Sequence, residues 1–368
     1  MTSATIAISR VRNDMRRIVP GSPGYVWRSR GGGDRNLTRR SVLAVCDARR
    51  SLRIPLARSR GVRGRRIDYC MLSFAPLSPR FGLEVRGIDL SRDLSSPQFS
   101  EIEAAFFRGQ VLVIRGQRLT PEGFIAFARR FGPPEPHVID QFHHPADPNI
   151  LILSNVVRDG RPEGLADAGT YFHTDYSYLD IPARATTLYS ITVPEVGGDT
   201  LFADQYRAYD DLSVAMKRRI DRLLAVHHYG NRNNVDETTR TVASVLTEDQ
   251  KAKMPVITHP IARRHPVTGR IALYAVSGSS FGIVGMPDAE ARALLDELAF
   301  HATQPKYQLR LHYGVGDLVI WDNASLLHSA TLTDPRYRRV LWRITLKEPD
   351  ASGRAREVLA STLVSGGM

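Results

Sequence analysis

Residues 316–346 read GDLVIWDNASLLHSATLTDPRYRRVLWRITL, which is two short apolar runs on either side of a single histidine. The runs predict two strands, Leu318–Trp321 and Arg338–Leu346. Side chains alternate between the two faces of a strand, so Arg339 and Arg343 share one face of the second strand, roughly 13 Å apart. That face either meets solvent or lines a cavity in which the two guanidinium groups bind anions at different depths.

Outward from this stretch, short apolar runs alternate with a few amphipathic segments. Helices are predicted to open at Ser96-Pro97, Thr120-Pro121 and Pro287-Asp288, because proline is well tolerated at a helix start. Further strands are predicted at Gln110–Arg115, Ile150–Ser154, Thr186–Val193, Thr200–Ala203 and Ile271–Ala275. The strands follow no βαβ rhythm, which predicts an α+β fold with an antiparallel sandwich or barrel at its centre.

The charge of the chain is concentrated at its amino-terminal end. The formal net charge is +12 over 368 residues, but residues 1–70 hold 17 Arg and no Lys against 4 Asp and no Glu. Residues 71–368 are close to neutral, with 33 Lys and Arg against 34 Asp and Glu. The basic leader, residues 1–70, has three interpretations: a disordered transit peptide, an arm that binds nucleic acid or an anionic membrane, or a translation start-site artefact upstream of Met71.

After the leader we expect one domain over residues 71–350 and a tail over 351–368. The near-neutral domain offers no basic face for nucleic acid, and no apolar run is long enough to cross a bilayer. Both cysteines lie in the leader and all 11 histidines follow it, so a metal site in the domain must use histidine and carboxylate. We expect a cytoplasmic homo-oligomer, a dimer or a tetramer.

The segment Tyr171–Asp175 contains a His-x-Asp pattern formed by His173 and Asp175. In an extended strand these side chains lie on one face, about 7 Å apart, and can converge on one ion. His328 is the best candidate for a third ligand, and two histidines with one carboxylate form the facial triad of non-haem Fe(II) oxygenases. His-x-Asp also occurs in many surface turns. The competing histidines, expected to be solvated or capping, are His143, His144, His227, His228 and His312.

From Met71 to about Pro349 the chain resembles the taurine dioxygenase family, which includes the 2,4-dichlorophenoxyacetate dioxygenases. The matching stretches are His173-Thr174-Asp175, Val196–Thr200, Gly316–Asn323, His328, Arg339 and Arg343, with lesser matches at Phe131-Gly132 and Thr258–Pro260. Thr200 lies 27 residues after His173, and the two arginines lie 11 and 15 residues after His328, as in the family. The resemblance implies a double-stranded β-helix (jelly-roll) core flanked by helices.

The resemblance also implies roles for seven residues. His173, Asp175 and His328 would bind Fe(II). Thr200 and Arg339 would bind the distal carboxylate of the cosubstrate 2-oxoglutarate. Arg343 and His137 would contact the anionic group of the substrate.

The implied reaction uses O₂ to hydroxylate a small anionic organic substrate, such as a sulfonate, an aryloxyalkanoate or a related acid, and often cleaves a C–heteroatom bond. Succinate and CO₂ are released. Two departures disfavour taurine itself, since Asp140 and Gly169 stand where the taurine enzymes have Tyr and Asn. The alternatives are decarboxylation, desaturation or isonitrile formation on an amino-acid derivative, and a non-catalytic protein that binds nucleic acid.

Overall fold

The computed structural model describes residues 72–166, 168–229 and 255–348. The predictions for the leader and for the tail beyond residue 350 lie outside these ranges. The helices are α1 (Ser96–Gly109), α2 (Pro121–Arg129), α3 (Gln205–Asp210), α4 (Val214–Ile220) and α5 (Asp288–Ala302). Within the described ranges, no helix combines the length and the apolar character that crossing a membrane requires.

The strands up to the middle of the chain are β1 (Ser73–Pro76), β2 (Leu83–Arg86), β3 (Val111–Ile114), β4 (His143–His144), β5 (Asp147–Ser154), β6 (Val157–Arg158), β7 (Arg161–Pro162), β8 (Ala183–Thr192) and β9 (Thr200–Asp204). Those that follow are β10 (Leu224–His227), β11 (Ile257–Pro260), β12 (Ala262–Arg264), β13 (Ile271–Leu273), β14 (Ser280–Ile283), β15 (Gln308–Leu311), β16 (Leu318–Asp322), β17 (Leu326–Ala330) and β18 (Val340–Lys347).

An eight-stranded sheet, which we call the large sheet, has the order β1-β2-β3-β16-β8-β18-β5-β4. Its neighbours pair antiparallel, except β2 and β3, which are parallel. The ten-residue strand β8 lies between the two strands predicted within residues 316–346, with β16 on one side and β18 on the other. This register places a strand from the middle of the domain between two strands from its C-terminal part.

The large sheet is covered on both faces, which explains the continuous apolar run of β16. Val319 and Trp321 belong to one buried cluster, whereas Leu318 and Ile320 belong to another on the opposite face. A strand that is buried on both sides loses the polar half of its alternation. Leu318–Trp321 is therefore apolar throughout, and the sequence alone does not show that its alternate residues belong to two different buried clusters.

Helices α1 and α2 cover one face of the large sheet. Phe106 of α1 and Phe131, which follows α2, have ring centroids 5.3 Å apart and belong to the same buried cluster as Ile320 and Ile344. Both helices begin as predicted. The Ser95 hydroxyl accepts a hydrogen bond from the backbone N–H of Gln98 in a capping box, and Thr120 caps α2 in the same way.

The opposite face packs on a three-stranded sheet of order β15-β9-β17, which we call the small sheet. Phe202 from the small sheet and Trp321 from the large sheet meet with ring centroids 5.5 Å apart. Leu341 of β18 belongs to the same cluster as Phe202 and Trp321. The inner layer between the two sheets is therefore the layer into which the odd-numbered residues of β18 point.

The structure confirms an α+β architecture with largely antiparallel sheets, and the predicted strands are observed within about three residues of their predicted ends. The sequence did not predict β10, β14, β15 or β17, because each is only four or five residues long and mixes polar with apolar residues. The missed strand β17 matters most, since it carries His328.

Leu341 tests the packing between the two sheets. Its side chain is fully buried, so Leu341→Ala is expected to lower the free energy of unfolding by about 2–5 kcal/mol. Leu332→Ala is a matched control, because Leu332 is 70% exposed and its truncation is expected to change stability by less than about 0.5 kcal/mol. Urea denaturation measures both, and equal losses would contradict the assignment of the inner layer.

Candidate metal centre

Two backbone hydrogen bonds join the two histidines of the predicted triad. The N–H of His173 donates to the carbonyl of His328 at 2.9 Å, and the N–H of His328 donates back at 2.8 Å. The two residues form an isolated antiparallel bridge. Residues opposite each other in such a pair direct their side chains to the same face. The two imidazole centroids are consequently only 4.2 Å apart, although 155 positions separate the residues in sequence.

Asp175 completes the cluster from the start of the turn that follows His173, rather than from an extended strand. Its Oδ1 lies 3.5 Å from Nε2 of His173, and its Oδ2 lies 3.5 Å from Nε2 of His328. One ligand atom from each residue lies within 4.8 Å of the others, the only such group of His, Cys, Asp or Glu found over the described ranges. Ligand atoms that share an ion at about 2.1 Å and at right angles are about 3 Å apart, so this spacing fits one ion.

The protonation of the imidazoles also fits a metal site. Nδ1 of His173 lies 2.8 Å from the carbonyl oxygen of Tyr171. A carbonyl only accepts hydrogen bonds, so Nδ1 carries a proton, and Nε2, which faces Asp175, is the nitrogen available to a metal. Burial lowers the pKa of His328 well below its ordinary value, and neighbouring His173 lowers it further. His328 therefore favours the neutral form that binds a metal.

Glycines on two sides hold the ring of His173. A Cβ on Gly169 would lie 2.4 Å from Cε1 of His173, and a Cβ on Gly278 would lie 2.7 Å from Cβ of His173. Both glycines have positive φ, +71° and +85°, where side chains are strained. Gly169, which the sequence showed as a departure from the taurine enzymes, thus leaves the space that the metal-binding imidazole occupies.

Asp175 is a buried anion with two strong partners. Its Oδ1 forms an ion pair with Nη2 of Arg343 at 2.6 Å, and its Oδ2 accepts a hydrogen bond from the Thr186 hydroxyl at 2.6 Å. Burial alone would raise the pKa of Asp175, but Arg343 and His328 hold it well below its ordinary value. For Arg343, burial would lower the pKa, but the carboxylate of Asp175 and the neighbouring tyrosines together raise it. The pair is therefore fully charged.

One cavity brings together five of the seven residues singled out from the sequence. It is lined by His173, Thr200, His328, Arg339 and Arg343, together with apolar residues that include Trp321. Arg343 of β18 and Arg339, which precedes β18, therefore line a cavity rather than facing solvent. The two predicted anion receptors differ in their surroundings, since Arg343 is already paired with Asp175.

Arg339 and Thr200 both line the cavity. Burial lowers the pKa of Arg339, and nearby Tyr313 and Asp199 oppose that change. Its Nε donates to the carbonyl of Gly198 at 3.1 Å, which leaves the rest of the guanidinium fork for another acceptor. The Thr200 hydroxyl lies 2.7 Å from the Tyr313 hydroxyl. The sequence did not single out Tyr313, which stands three residues before Gly316 in a segment with no motif of its own.

His137 and Asp140 lie on a neighbouring segment. His137 is buried, with its ring centroid 6.0 Å from that of Tyr176 and 6.2 Å from that of Tyr229. Both tyrosines also act electrostatically on Arg343, so His137 and Arg343 share neighbours. Asp140 is exposed at the start of a short 3₁₀ helix.

The competing histidines lie outside the cluster, although not all are solvated as expected. His312 is half exposed and its Nδ1 lies 2.7 Å from Asp199. His227, in contrast, is fully buried in β10, and burial lowers its pKa to about 3. The prediction of a solvated His227 was wrong, because the sequence did not reveal β10 and its pairing on both sides.

Metal binding tests the cluster directly. His173→Ala or Asp175→Ala is expected to abolish tight binding of Fe(II) or Mn(II), because each removes one of three ligands, and calorimetric titration of metal-free protein measures the loss. His312→Ala is the matched control, since its exposed ring lies outside the cluster. Unchanged affinity in either ligand variant, or an equal loss in the control, would contradict the assigned ligand set.

Comparison with known proteins gives the same result as the geometry. Residues 73–345 match the family model described as "Taurine catabolism dioxygenase TauD, TfdA family". An α-ketoglutarate-dependent 2,4-dichlorophenoxyacetate dioxygenase of Cupriavidus pinatubonensis is 36% identical over 280 residues, 73% of this chain and 96% of the relative. Pentalenolactone F synthase of Streptomyces arenae is 34% identical over 281 residues, 74% of this chain and 94% of the relative.

Solved structures resemble the fold as well. A putative α-ketoglutarate-dependent taurine dioxygenase from Burkholderia xenovorans matches with a TM-score of 0.62 and 30% identity, over 75% of this chain and 93% of that one. The complex of AAD-2 with Mn(II) and N-oxalylglycine matches with a TM-score of 0.63 and 28% identity, over 76% and 99%. The family match covers well over half of the chain, and the chain therefore belongs to the taurine catabolism dioxygenase TauD, TfdA family.

Proposed function

We propose that this protein is an Fe(II)- and 2-oxoglutarate-dependent dioxygenase that hydroxylates a small anionic organic substrate and releases succinate and CO₂. One observation carries the proposal: two imidazoles and one carboxylate form a cluster, and the two imidazoles line a cavity that two buried arginines also line. A metal site alone would fit many reactions. The two guanidinium groups beside it match a reaction with two anionic organic reactants.

The donor set favours iron. Two imidazoles and one carboxylate on one side of an ion leave open positions for a chelating cosubstrate and O₂, as in non-haem Fe(II) oxygenases. When bound, iron and 2-oxoglutarate supply the chemistry of O₂ activation that oxidises an unactivated C–H bond. The protein residues bind and orient the reactants, and they keep them in a water-poor cavity.

We assign the distal carboxylate of 2-oxoglutarate to Arg339 and Thr200. A planar guanidinium binds a carboxylate through two parallel hydrogen bonds, and the Thr200 hydroxyl adds a third donor. The contact between Thr200 and Tyr313 orients that hydroxyl. In a buried site these charge-assisted hydrogen bonds are stronger than in water, which favours binding of a doubly charged cosubstrate.

We assign the anionic group of the prime substrate to Arg343 and His137. Relatives support an anionic substrate by their names: the 2,4-dichlorophenoxyacetate dioxygenase, and an α-ketoglutarate-dependent sulfate ester dioxygenase of Pseudomonas putida that is 30% identical over 291 residues. The ion pair of Arg343 with Asp175 means that a substrate anion shares this guanidinium with the metal-binding carboxylate. Aromatic rings of Tyr176, Tyr178 and Tyr229 surround it and favour a substrate with an apolar or aromatic body.

The proposal extends to the fold of the core, the bounds of the catalytic domain and the assembly of the protein. We propose that the large and small sheets form a double-stranded β-helix (jelly roll), and that residues 71–350 are the catalytic domain. We also propose a cytoplasmic homo-oligomer, a dimer or a tetramer, with no role in binding nucleic acid. Light scattering of the purified chain measures the oligomeric state.

Substrate-stimulated succinate formation tests the activity. With Fe(II), 2-oxoglutarate and O₂, at least one anion from a panel of aryloxyalkanoates, alkyl sulfates and sulfonates is expected to raise succinate formation about tenfold or more above the uncoupled rate. Matched amides and alcohols that lack the negative charge serve as controls. Stimulation by the neutral analogues alone would contradict the assignment of the substrate to Arg343. Products of desaturation or decarboxylation would favour the alternative chemistry.

Arg339→Ala tests the assignment of the cosubstrate. Removing one member of a buried charge pair costs about 2–5 kcal/mol, so the KM for 2-oxoglutarate is expected to rise about 10²-fold or more while metal affinity is retained. Arg336→Ala is the matched control, because Arg336 is exposed and pairs with Asp334 at the surface. An unchanged KM in Arg339→Ala would assign the carboxylate to another residue.

A further inference from the structure

The two oxygens of Asp175 have different partners. Oδ1 pairs with Arg343, a charged side chain that also lines the cavity. Oδ2 accepts from the hydroxyl of Thr186, an uncharged residue of β8 that is completely buried. A carboxylate that is hydrogen-bonded on one oxygen has less freedom to rotate about its last bond. Thr186 can therefore determine the orientation of the Asp175 carboxylate toward a metal ion.

The direction of the Thr186 hydrogen bond is determined by Asn323. The side-chain Nδ2 of Asn323 donates to Oγ1 of Thr186 at 2.9 Å. A hydroxyl has one proton, and because Thr186 already accepts from an amide, its proton is directed to Oδ2 of Asp175 at 2.6 Å. The hydroxyl is thus a donor to the carboxylate and not an acceptor competing with the metal.

The orientation of Asn323 is in turn determined by Trp321. The indole Nε1, which can only donate, lies 3.1 Å from Oδ1 of Asn323. This identifies the oxygen end of the amide and leaves the nitrogen end for Thr186. The indole ring itself lies against a metal ligand, with its centroid 4.7 Å from that of His328. A continuous chain of contacts therefore joins the carboxylate ligand to one of the histidine ligands.

The sheet register holds this chain of contacts in place. Thr186 of β8 lies opposite Trp321 of β16, and the backbone N–H of Asn323 donates to the carbonyl of Arg184 at 3.0 Å. All three side chains are at most 2% exposed, so water does not replace a lost partner at low cost. The hydrogen bonds are built into two central strands of the large sheet, which are among its most constrained elements.

We infer that Thr186, held by Asn323, is a positioning residue that locks the carboxylate of Asp175 in the orientation required for metal binding. This inference rests on the proposed metal site. Without the hydroxyl, Oδ2 becomes a buried acceptor lacking its donor, and the carboxylate rotates to seek another one. Loss of a hydrogen bond that orients a metal ligand typically weakens metal affinity 10- to 100-fold.

The chain offers a matched control in the next residue. Thr187 is on the same strand and is equally buried, but its hydroxyl donates to the backbone carbonyl of Val319 at 3.0 Å. Thr187→Val therefore removes one buried hydroxyl and one hydrogen bond from β8 without touching Asp175. Any general cost of replacing a buried threonine in this strand is the same in both variants.

The experiment compares Thr186→Val, Thr186→Ser and Thr187→Val in the full chain. Metal-free protein is titrated with Co(II), and both the dissociation constant and the ligand-field absorption spectrum are recorded. Thr186→Val is expected to weaken binding about tenfold or more and to change the spectrum. Thr186→Ser and Thr187→Val are expected to stay within about twofold of the wild type with its spectrum. Thermal unfolding of the metal-free variants shows whether each is folded, and Thr186→Ala replaces Thr186→Val if the latter is not.

The outcomes separate the inference from the proposed function. Equal affinity and spectra in Thr186→Val and Thr187→Val would overturn the positioning role, as would a Thr186→Ser variant as weak as Thr186→Val. Wild-type protein that binds no Co(II) would overturn both proposals. Wild-type protein that binds Co(II) as predicted, but with Fe(II) turns over no 2-oxoglutarate, would overturn the proposed function and leave the role of Thr186 standing.

Discussion

The reciprocal backbone pairing of His173 with His328 is the constraint on which the site depends. Two backbone hydrogen bonds bring together residues that are 155 positions apart in sequence. Imidazole side chains alone would not hold such a geometry, because each has rotational freedom that an ion must overcome on binding. With the backbone of both histidines fixed, and glycines packed against one of the rings, much of the ordering is complete before a metal arrives.

The charged residues around the histidine pairing share one feature, which is burial. Asp175, Arg339 and Arg343 are each less than a tenth exposed. A buried charge is costly unless it is paired, and Asp175 with Arg343 meets that requirement within the protein. Arg339 has no carboxylate within salt-bridge distance in the described part of the chain, so an anionic reactant would complete its pairing. The two arginines therefore differ in their pairing within the protein.

The sequence predicted the ligand set and the α+β class, because both depend on local patterns and on spacing along the chain. His-x-Asp was a weak pattern alone, and agreement with the family at His328, Arg339 and Arg343 made it specific. The roles of Thr186, Asn323 and Tyr313 were not predicted, because they depend on sheet register between distant strands. Thr186 lies opposite Trp321 only once β8 and β16 pair, and no periodicity in either strand reveals that partner. The ion pair between Arg343 and Asp175 was missed for the same reason.

The central claim is that iron binds to His173, Asp175 and His328, and that 2-oxoglutarate binds beside it in the cavity that the two histidines line. Anaerobic titration of 2-oxoglutarate into the Fe(II)-loaded protein tests it most directly, because a 2-oxo acid that chelates Fe(II) produces a visible charge-transfer absorption. The account predicts that this absorption appears and saturates at about one 2-oxoglutarate per chain. If Fe(II) binds and no such absorption develops at any 2-oxoglutarate concentration, the account is contradicted.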